Sequence, residues 1–563
     1  MRPRGWAASG VATVVVTTAV LGPLLVNGGI ALRGDMVFTP DQPWKPAWLG
    51  LDGSVPRAVP MDAVVSVLDN VVPGALLQRL LLVAAFVAGG LGIGRLTRGL
   101  GTLAQVAAVV VYLWNPWVYE RLAIGQWPTA LGYGLLPWVV IAATAARAGR
   151  PVGWSATALT LVLAGVCAPS VGLVGALVAV VVVAVGGSWR RTAAVAGLAV
   201  VANLPWILPG MLGTAVHASR SQFDEFAARP ESSLGTVASV LSMGGIWKTS
   251  VVPPERTHVV VVGVAAMVAL ACVAGFWYAV PLLGRRTAAA VAAVGVLALA
   301  LAVLPALAPV ARGLGALSTD WPAIGILRDS QRYLAPLGLV LAVGAGALVE
   351  RLVTRARRGQ PAWWSVAFLV VAAPVLLLPS LAWGLAGALR PVNYPSDWDQ
   401  VAARVADGGG TVTLPWTGSY RGFAWNDHRA VLDPAPRFLP GDVLVDDRLF
   451  LRHAVLPGED PFLARVRDAL AAEDPARALG DLGVRWVLVE KGNGVEPSDV
   501  PPGNVVFDGS SLSLVDLGKP RGDVDLLRQR PPWSMVTAGD MIAGFVGCVS
   551  VVHLLRHQLR TRR

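Results

Sequence analysis

Asp35, in Arg33-Gly34-Asp35, follows closely on the first long apolar run of this chain. A carboxylate held at a membrane surface can take the proton of an attacking hydroxyl, so Asp35 is a candidate general base. The competing reading is a solvated aspartate in a Gly-Asp turn. Asp41 is the next acid and the runner-up, followed in the same segment by Asp52, Asp62 and Asp69. Arg79 lies about one turn into the second apolar run, where a guanidinium is costly unless it snorkels, pairs or binds a phosphate. Glu120-Arg121 is an acid-base pair in a short segment flanked by Trp114, Trp117 and Trp127. It reads either as an ion pair in an interfacial aromatic belt or as a second catalytic candidate. Arg328, Asp329 and Arg332 stand just before a late apolar run, where the two arginines are candidates for phosphate or pyrophosphate contacts or for anionic lipid headgroups.

Other chemistry is poorly represented. His217, His258, His428 and His453 never share ligand spacing, and Asp446-Asp447 is an isolated acid pair. In residues 387–533 no paired metal motif, nucleotide-binding glycine fingerprint or nucleophile elbow is found; no cofactor is expected, and a divalent metal has no support. Cys167, Cys272 and Cys548 all lie in apolar runs and read as small core residues.

The elements that must position these residues are membrane helices. The chain is 55% hydrophobic and 14% charged over 563 residues. Twelve apolar runs are expected to span, at about 6–28, 75–94, 101–119, 127–146, 154–168, 171–188, 192–210, 258–280, 287–309, 333–350, 362–386 and 534–555. Every second connection carries arginines: Arg95/Arg98, Arg147/Arg150, Arg190/Arg191, Arg285/Arg286 and Arg351/Arg355/Arg357/Arg358. The intervening connections are rich in Trp, Pro and Asp. This alternation orients the chain, with both termini cytoplasmic and the first span a retained signal anchor. It also accounts for the net charge of +11. The termini and arginine connections hold 18 Lys/Arg against one acid, Glu350, a balance of +17 that leaves −6 for everything else. The basic excess is therefore topological, and nucleic acid is excluded as a partner.

Three parts follow: a transmembrane region 1–386, an extracytoplasmic α/β module 387–533, and a last span with a basic tail, 534–563. In the module, Ser396 with Asp397 and Asp399 reads as a helix start, ended by Gly408-Gly409-Gly410. Thr411–Pro415 and Arg485–Glu490 read as strands, and 504–507 with 511–516 as a hairpin across Asp508-Gly509. Helical pattern covers 462–472 and 475–482, the latter opening at Asp474-Pro475.

Several features together resemble the polytopic membrane glycosyltransferases of the GT-C class, actinobacterial type. These are the long first outward loop with Arg33-Gly34-Asp35, and the second loop Asn115-Pro-Trp-Val-Tyr-Glu-Arg121 with Gly125-Gln-Trp127. The count of about a dozen spans, Arg328-Asp-Ser-Gln-Arg332 entering a late span, and an outer module near the C-terminus complete the likeness. The Arg-over-Lys and Ala/Val/Gly bias looks like that of a high-GC actinobacterium. The resemblance implies a plasma-membrane enzyme of cell-wall biogenesis. It would transfer a hexosyl or pentosyl group from a polyprenyl-phosphate donor to a glycan or glycolipid acceptor with inversion. Asp35 would be the base. Arg79, Arg121, Arg328 or Arg332 would hold the donor phosphate, and Trp44, Trp48 and Trp127 would stack on sugar faces.

Two other readings compete. A transporter for a lipid-linked glycan predicts two matching halves with broken helices, and no such symmetry is found. A non-catalytic scaffold for envelope assembly predicts that no single acid is essential.

Overall fold

The computed structural model describes residues 4–213, 220–451 and 454–562, so His217 and His453 lie outside the described residues. The molecule is mostly helical and polytopic. Among the described residues, eight helices are long and apolar enough to cross a membrane, or nine if Ala362–Leu377 and Pro379–Ala386, bent by 63°, form one span. In chain order the bundle comprises α1 (Arg4–Val26), α2 (Gly74–Leu96), α3 (Thr102–Leu113), α4 (Pro116–Ala123) and α5 (Trp127–Arg147). These are followed by α6 (Pro151–Cys167), α7 (Pro169–Ala184), α8 (Trp189–Leu212), α9 (Val259–Phe276) and α10 (Arg285–Val303). Then come α11 (Ala308–Asp320), α12 (Leu337–Arg357), α13 (Ala362–Leu377) and the last helix, α14 (Trp533–Arg562).

The apolar stretch 101–119, expected as one helix, is two. Asn115 accepts a hydrogen bond from Val118 N at 3.0 Å and Pro116 occupies the first turn, so a new helix starts there. α3 is left with 12 residues, and α4 lies outside it. α6 and α7 also fall short of the usual spanning length, with 17 and 16 residues, and turn at Ala168.

The two ends of the bundle are chemically distinct. At one end, Arg147 donates to Val182 O at 3.0 Å and to Thr287 Oγ1 at 2.7 Å, and Arg191 donates to Arg147 O at 2.6 Å. Glu350 accepts from Gly101 N at 2.7 Å at the connections that carry Arg98 and Arg351. The arginine-bearing connections therefore gather together. The long loops and the β-structure occupy the opposite end.

That β-structure is a five-stranded sheet of β1 (Gly410–Leu414), β2 (Val443–Leu444), β3 (Val484–Glu490), β4 (Asn504–Asp508) and β5 (Leu512–Asp516). Its order is β4-β5-β3-β1-β2, with β3, β1 and β2 parallel and β4, β5 and β3 antiparallel. Helix Asp397–Val405 starts without the expected side-chain cap from Ser396. Asp397 is turned instead to the hairpin loop, accepting from Ser511 N at 2.6 Å and Leu512 N at 3.2 Å.

The sheet region is fused to the bundle. Trp398, Phe423 and Leu488 belong to the same buried apolar cluster as Leu24, Phe38 and Trp117. Ile30–Ala31 pairs antiparallel with Pro391–Val392, and Gly34 bridges to Val431, with Leu432 N donating to Gly34 O at 2.8 Å. These backbone contacts fix the first loop, and hence Asp35, against both halves of the molecule.

Candidate active site

The Arg33-Gly34-Asp35 turn is held from below by the α4–α5 connection. Asp35 N donates to Ile124 O at 2.8 Å, and Arg33 Nε donates to Ala123 O at 3.0 Å. The approach is so close that two positions admit only glycine. A Cβ on Gly34 (φ +55°) would fall on Ile124 O, and one on Gly125 (φ +89°) on Arg33 O and Met36 N.

Asp35 is half-buried. Its Oδ1 accepts from the Tyr420 hydroxyl, and its Oδ2 receives only a long contact from Gln126 Nε2 at 3.4 Å. Lys248 lies over the Tyr420 ring, its Nζ 5.1 Å from the centroid. Burial lowers the Lys248 ammonium below its ordinary value, and the Asp35 carboxylate acts against that. Arg332 is also within electrostatic reach of Asp35. Four loops and the β-structure thus converge on one carboxylate and surround it with cations. Neither Tyr420 nor Lys248 carries a sequence signal that singles it out.

Behind Asp35 lies a buried polar network. Gln126 Oε1 accepts from Arg121 Nη1 at 2.6 Å. Arg121 also donates to Gln331 Oε1 and, at 3.4 Å, to Asp329. Gln331 Nε2 reaches Glu120 Oε2 at 2.8 Å. Glu120 stands beside Glu231, which pairs with Arg256, Nε to Oε2, at 2.6 Å. Burial, then the Glu231 carboxyl, push Glu120 well above the usual carboxylate range. Burial also acts to raise Asp329, but Arg332 and Arg121 outweigh it and hold this carboxylate below its ordinary value.

The remaining candidates are placed as follows. Glu120 and Arg121 are each fully buried, which removes the reading of an exposed ion pair. Arg332 keeps 34% of its side chain exposed while Nε bonds Asp329 at 2.6 Å. Arg328 is engaged by Glu459 and by Gln222 Oε1 at 2.5 Å. Arg79 donates to the backbone carbonyls of Asn27 and Gly29, both at 2.9 Å, and closes the end of α1. Asp41 is exposed. Trp48 and Trp127 are 8% and 6% exposed, their rings packed against protein, whereas Trp44 is 52% exposed. Among the described residues, no three His, Cys, Asp or Glu side chains stand close enough together to hold a metal ion.

Two recesses open beside Arg332. One is lined by Arg332, Trp117, Thr129, Tyr133, Ser170 and Val174, with Ser170 Oγ buried and unpartnered. The other, about 190 Å³, is largely apolar and lined by Leu173, Val174, Leu177, Leu301, Leu327 and Tyr333. Both border Val174, so the recess lined by Arg332 adjoins a largely apolar one between α7 and α10.

No family model matches the sequence, and no curated relative does. The fold is nevertheless a known one, shared with solved membrane-protein structures. The solved structures that share it are of the arabinofuranosyltransferase AftD from mycobacteria. One matches over 93% of this chain with a TM-score of 0.58 at 18% identity. Two structures of a mutant form match over the same share with TM-scores of 0.56 and 0.54 at 17% and 18% identity. The chain spans 40% to 42% of the length of these proteins. At this identity the likeness concerns the fold.

Proposed function

We propose that the protein is a membrane glycosyltransferase that moves a pentofuranosyl group, arabinofuranose by analogy with its structural neighbours, from a polyprenyl-phosphate donor to a cell-envelope glycan or glycolipid. The observation that carries this reading is the site at Asp35. A half-buried carboxylate faces Lys248 and Arg332, and Arg332 lines a recess that adjoins an apolar groove. A carboxylate ringed by cations suits a reaction in which a hydroxyl loses a proton while a phosphate leaves with negative charge.

The donor phosphate sits at Arg332, with Lys248 and the hydroxyls of Ser170 and Thr129 as further donors, and its prenyl chain lies in the groove. Asp35 Oδ2 takes the acceptor hydroxyl proton. The acceptor oxygen bonds to the anomeric carbon, the bond from that carbon to the phosphate oxygen breaks, and the lipid phosphate leaves with the electron pair. The configuration inverts. Arg328 and Arg79 are tied to protein partners and act structurally, and buried Arg121 holds Gln126 and Asp329 in place. Exposed Trp44 is the one of the three tryptophans with a ring free to meet a sugar.

The chain crosses the membrane twelve times, with the arginine end cytoplasmic and the 387–533 module outside. Keeping every arginine-bearing connection on one side requires that α3, α6, α7 and the bent α13 segment cross as well as the eight long helices.

The test is transfer from radiolabelled polyprenyl-phosphoryl arabinofuranose to an alkyl arabinofuranoside by the protein in nanodiscs. Transfer by wild type and its loss in folded Asp35→Asn support the reading. Equal transfer by both moves the base elsewhere, and no transfer with pentosyl or hexosyl donors removes the enzyme reading.

A further inference from the structure

The β-structure does more than sit above the bundle, because it supplies the strongest side-chain partner of Asp35 among the described residues. Tyr420 lies in the short strand Tyr420–Arg421, which pairs antiparallel with Val431–Leu432. That second strand is the one stitched to Gly34, Val431 by its bridge and Leu432 N by a hydrogen bond to Gly34 O. The residue that carries the hydroxyl and the residue before Asp35 are therefore fixed by the same two-stranded ribbon. The ribbon is itself anchored: Arg421 is fully buried and bonds Glu490, at the end of β3, and Pro415 O at 3.0 Å. Lys248 covers the ring face. No freely rotating element stands between the sheet and the Asp35 carboxylate.

We propose that Tyr420 is a positioning residue that binds Asp35 Oδ1 and so leaves Oδ2 as the oxygen that works on the acceptor. The catalytic role of that oxygen rests on the function proposed above, whereas the Tyr420–Asp35 coupling does not. Burial and the Asp35 carboxylate hold the Tyr420 hydroxyl well above its ordinary value, so it remains a donor throughout the working pH range. Donation to the carboxylate fixes its plane. The outer module is thereby part of the site.

The test compares wild type with Tyr420→Phe, which keeps the ring under Lys248 and removes only the donor. The first readout is labelling of Asp35 by a hydrophobic carbodiimide across pH 4 to 8, read by peptide mass spectrometry, because this reagent reacts with the protonated carboxyl. Labelling should be several-fold faster in Tyr420→Phe than in wild type, because the carboxyl loses the hydrogen bond that holds Oδ1. The second readout is the kinetics of transfer with the labelled donor. In Tyr420→Phe kcat should be about tenfold lower with the donor KM unchanged. Unmoved labelling in protein of unchanged Tm overturns the proposal. Should Tyr420→Phe prove unstable, Leu432→Pro, which removes the N–H bound to Gly34 O, must shift labelling in the same direction, and failure to do so also overturns it. A labelling difference between the two proteins, with no transfer by wild type, keeps the coupling and defeats only the glycosyltransferase reading.

Discussion

Arg57 and Glu459 join the first outer loop to the β-region, Nη2 to Oε2 at 2.7 Å, while Arg328 binds the other oxygen of the same carboxylate. One side chain thus clamps three segments around the roof of the site. Burial acts to raise Glu459, but Arg57 and Arg328 pull it down to about 2. The group is depressed in the folded state relative to the unfolded chain, so its contribution is complete above about pH 4.5 and is lost as pH falls from there towards 2. Arg57 is 58% exposed, so solvent screens part of the interaction and the clamp contributes roughly 1–2 kcal/mol. Glu459→Gln should lower the Tm in nanodiscs at pH 7 and flatten the decline of wild-type stability on acidification below pH 4.5. Parallel acid curves for the two proteins would refute the assignment.

Arg332 and Arg79 both looked suited to a phosphate, and their surroundings now separate them. Arg332 lines the recess beside the apolar groove, whereas Arg79 is bound to the carbonyls that end α1. Arg332→Ala should raise the donor KM by about 10-fold or more, the loss of a charge-assisted contact. Arg79→Ala should leave that KM within about twofold and lower Tm instead. Steady-state kinetics with the labelled donor decides, and an unchanged KM in Arg332→Ala would move the phosphate elsewhere.

The parts of this molecule legible in its sequence are those written in local pattern. The arginine alternation marks the two ends of the bundle because each connection carries its own charge. Val484–Glu490 is readable because an apolar run follows Gly483 and ends before Lys491. Asn115-Pro116 was also a local signal, a helix start hidden by counting only apolar residues. The surroundings of Asp35 are another matter. Tyr420 is 385 residues away and Asp329 lies 208 residues from Arg121. Burial of Glu120-Arg121 depends on partners from distant segments, and nothing within Trp114–Trp127 distinguishes a packed helix from an interfacial loop.

The buried network should respond unequally to removal of its acids and its bases. Glu120 is raised well above the usual carboxylate range, by burial first and by Glu231 next, which favours its neutral form. An amide of the same shape replaces a neutral carboxyl at little cost, and Glu120→Gln should leave Tm and transfer nearly unchanged. Arg121→Ala strips Asp329, Gln126 and Gln331 of a fully buried partner and leaves a carboxylate poorly compensated. The expected cost is about 3 kcal/mol or more, seen as poor expression or a large drop in Tm. Equal effects of the two substitutions would show that Glu120 carries a charge after all.

Gly125 offers the sharpest separation of geometry from chemistry. Its φ of +89° is a conformation that side-chain-bearing residues rarely adopt, and a Cβ there would meet Arg33 O and the amides of Asp35 and Met36, all backbone atoms. Backbone cannot step aside as a flexible side chain can, so the first loop itself must lift. Gly125→Ala should therefore cost about 1–2 kcal/mol from the left-handed conformation alone, with the clash in addition. It should also displace Asp35 from Gln126 and Tyr420 while leaving every proposed catalytic group in the sequence. A displacement of about 1 Å is enough to reduce transfer by about 100-fold. Donor binding at Arg332, measured as KM, should change little, because that side chain is held by Asp329 rather than by the first loop. If Gly125→Ala reaches wild-type kcat in properly folded protein, the α4–α5 connection does not set the position of Asp35, and the base must be sought outside the first loop.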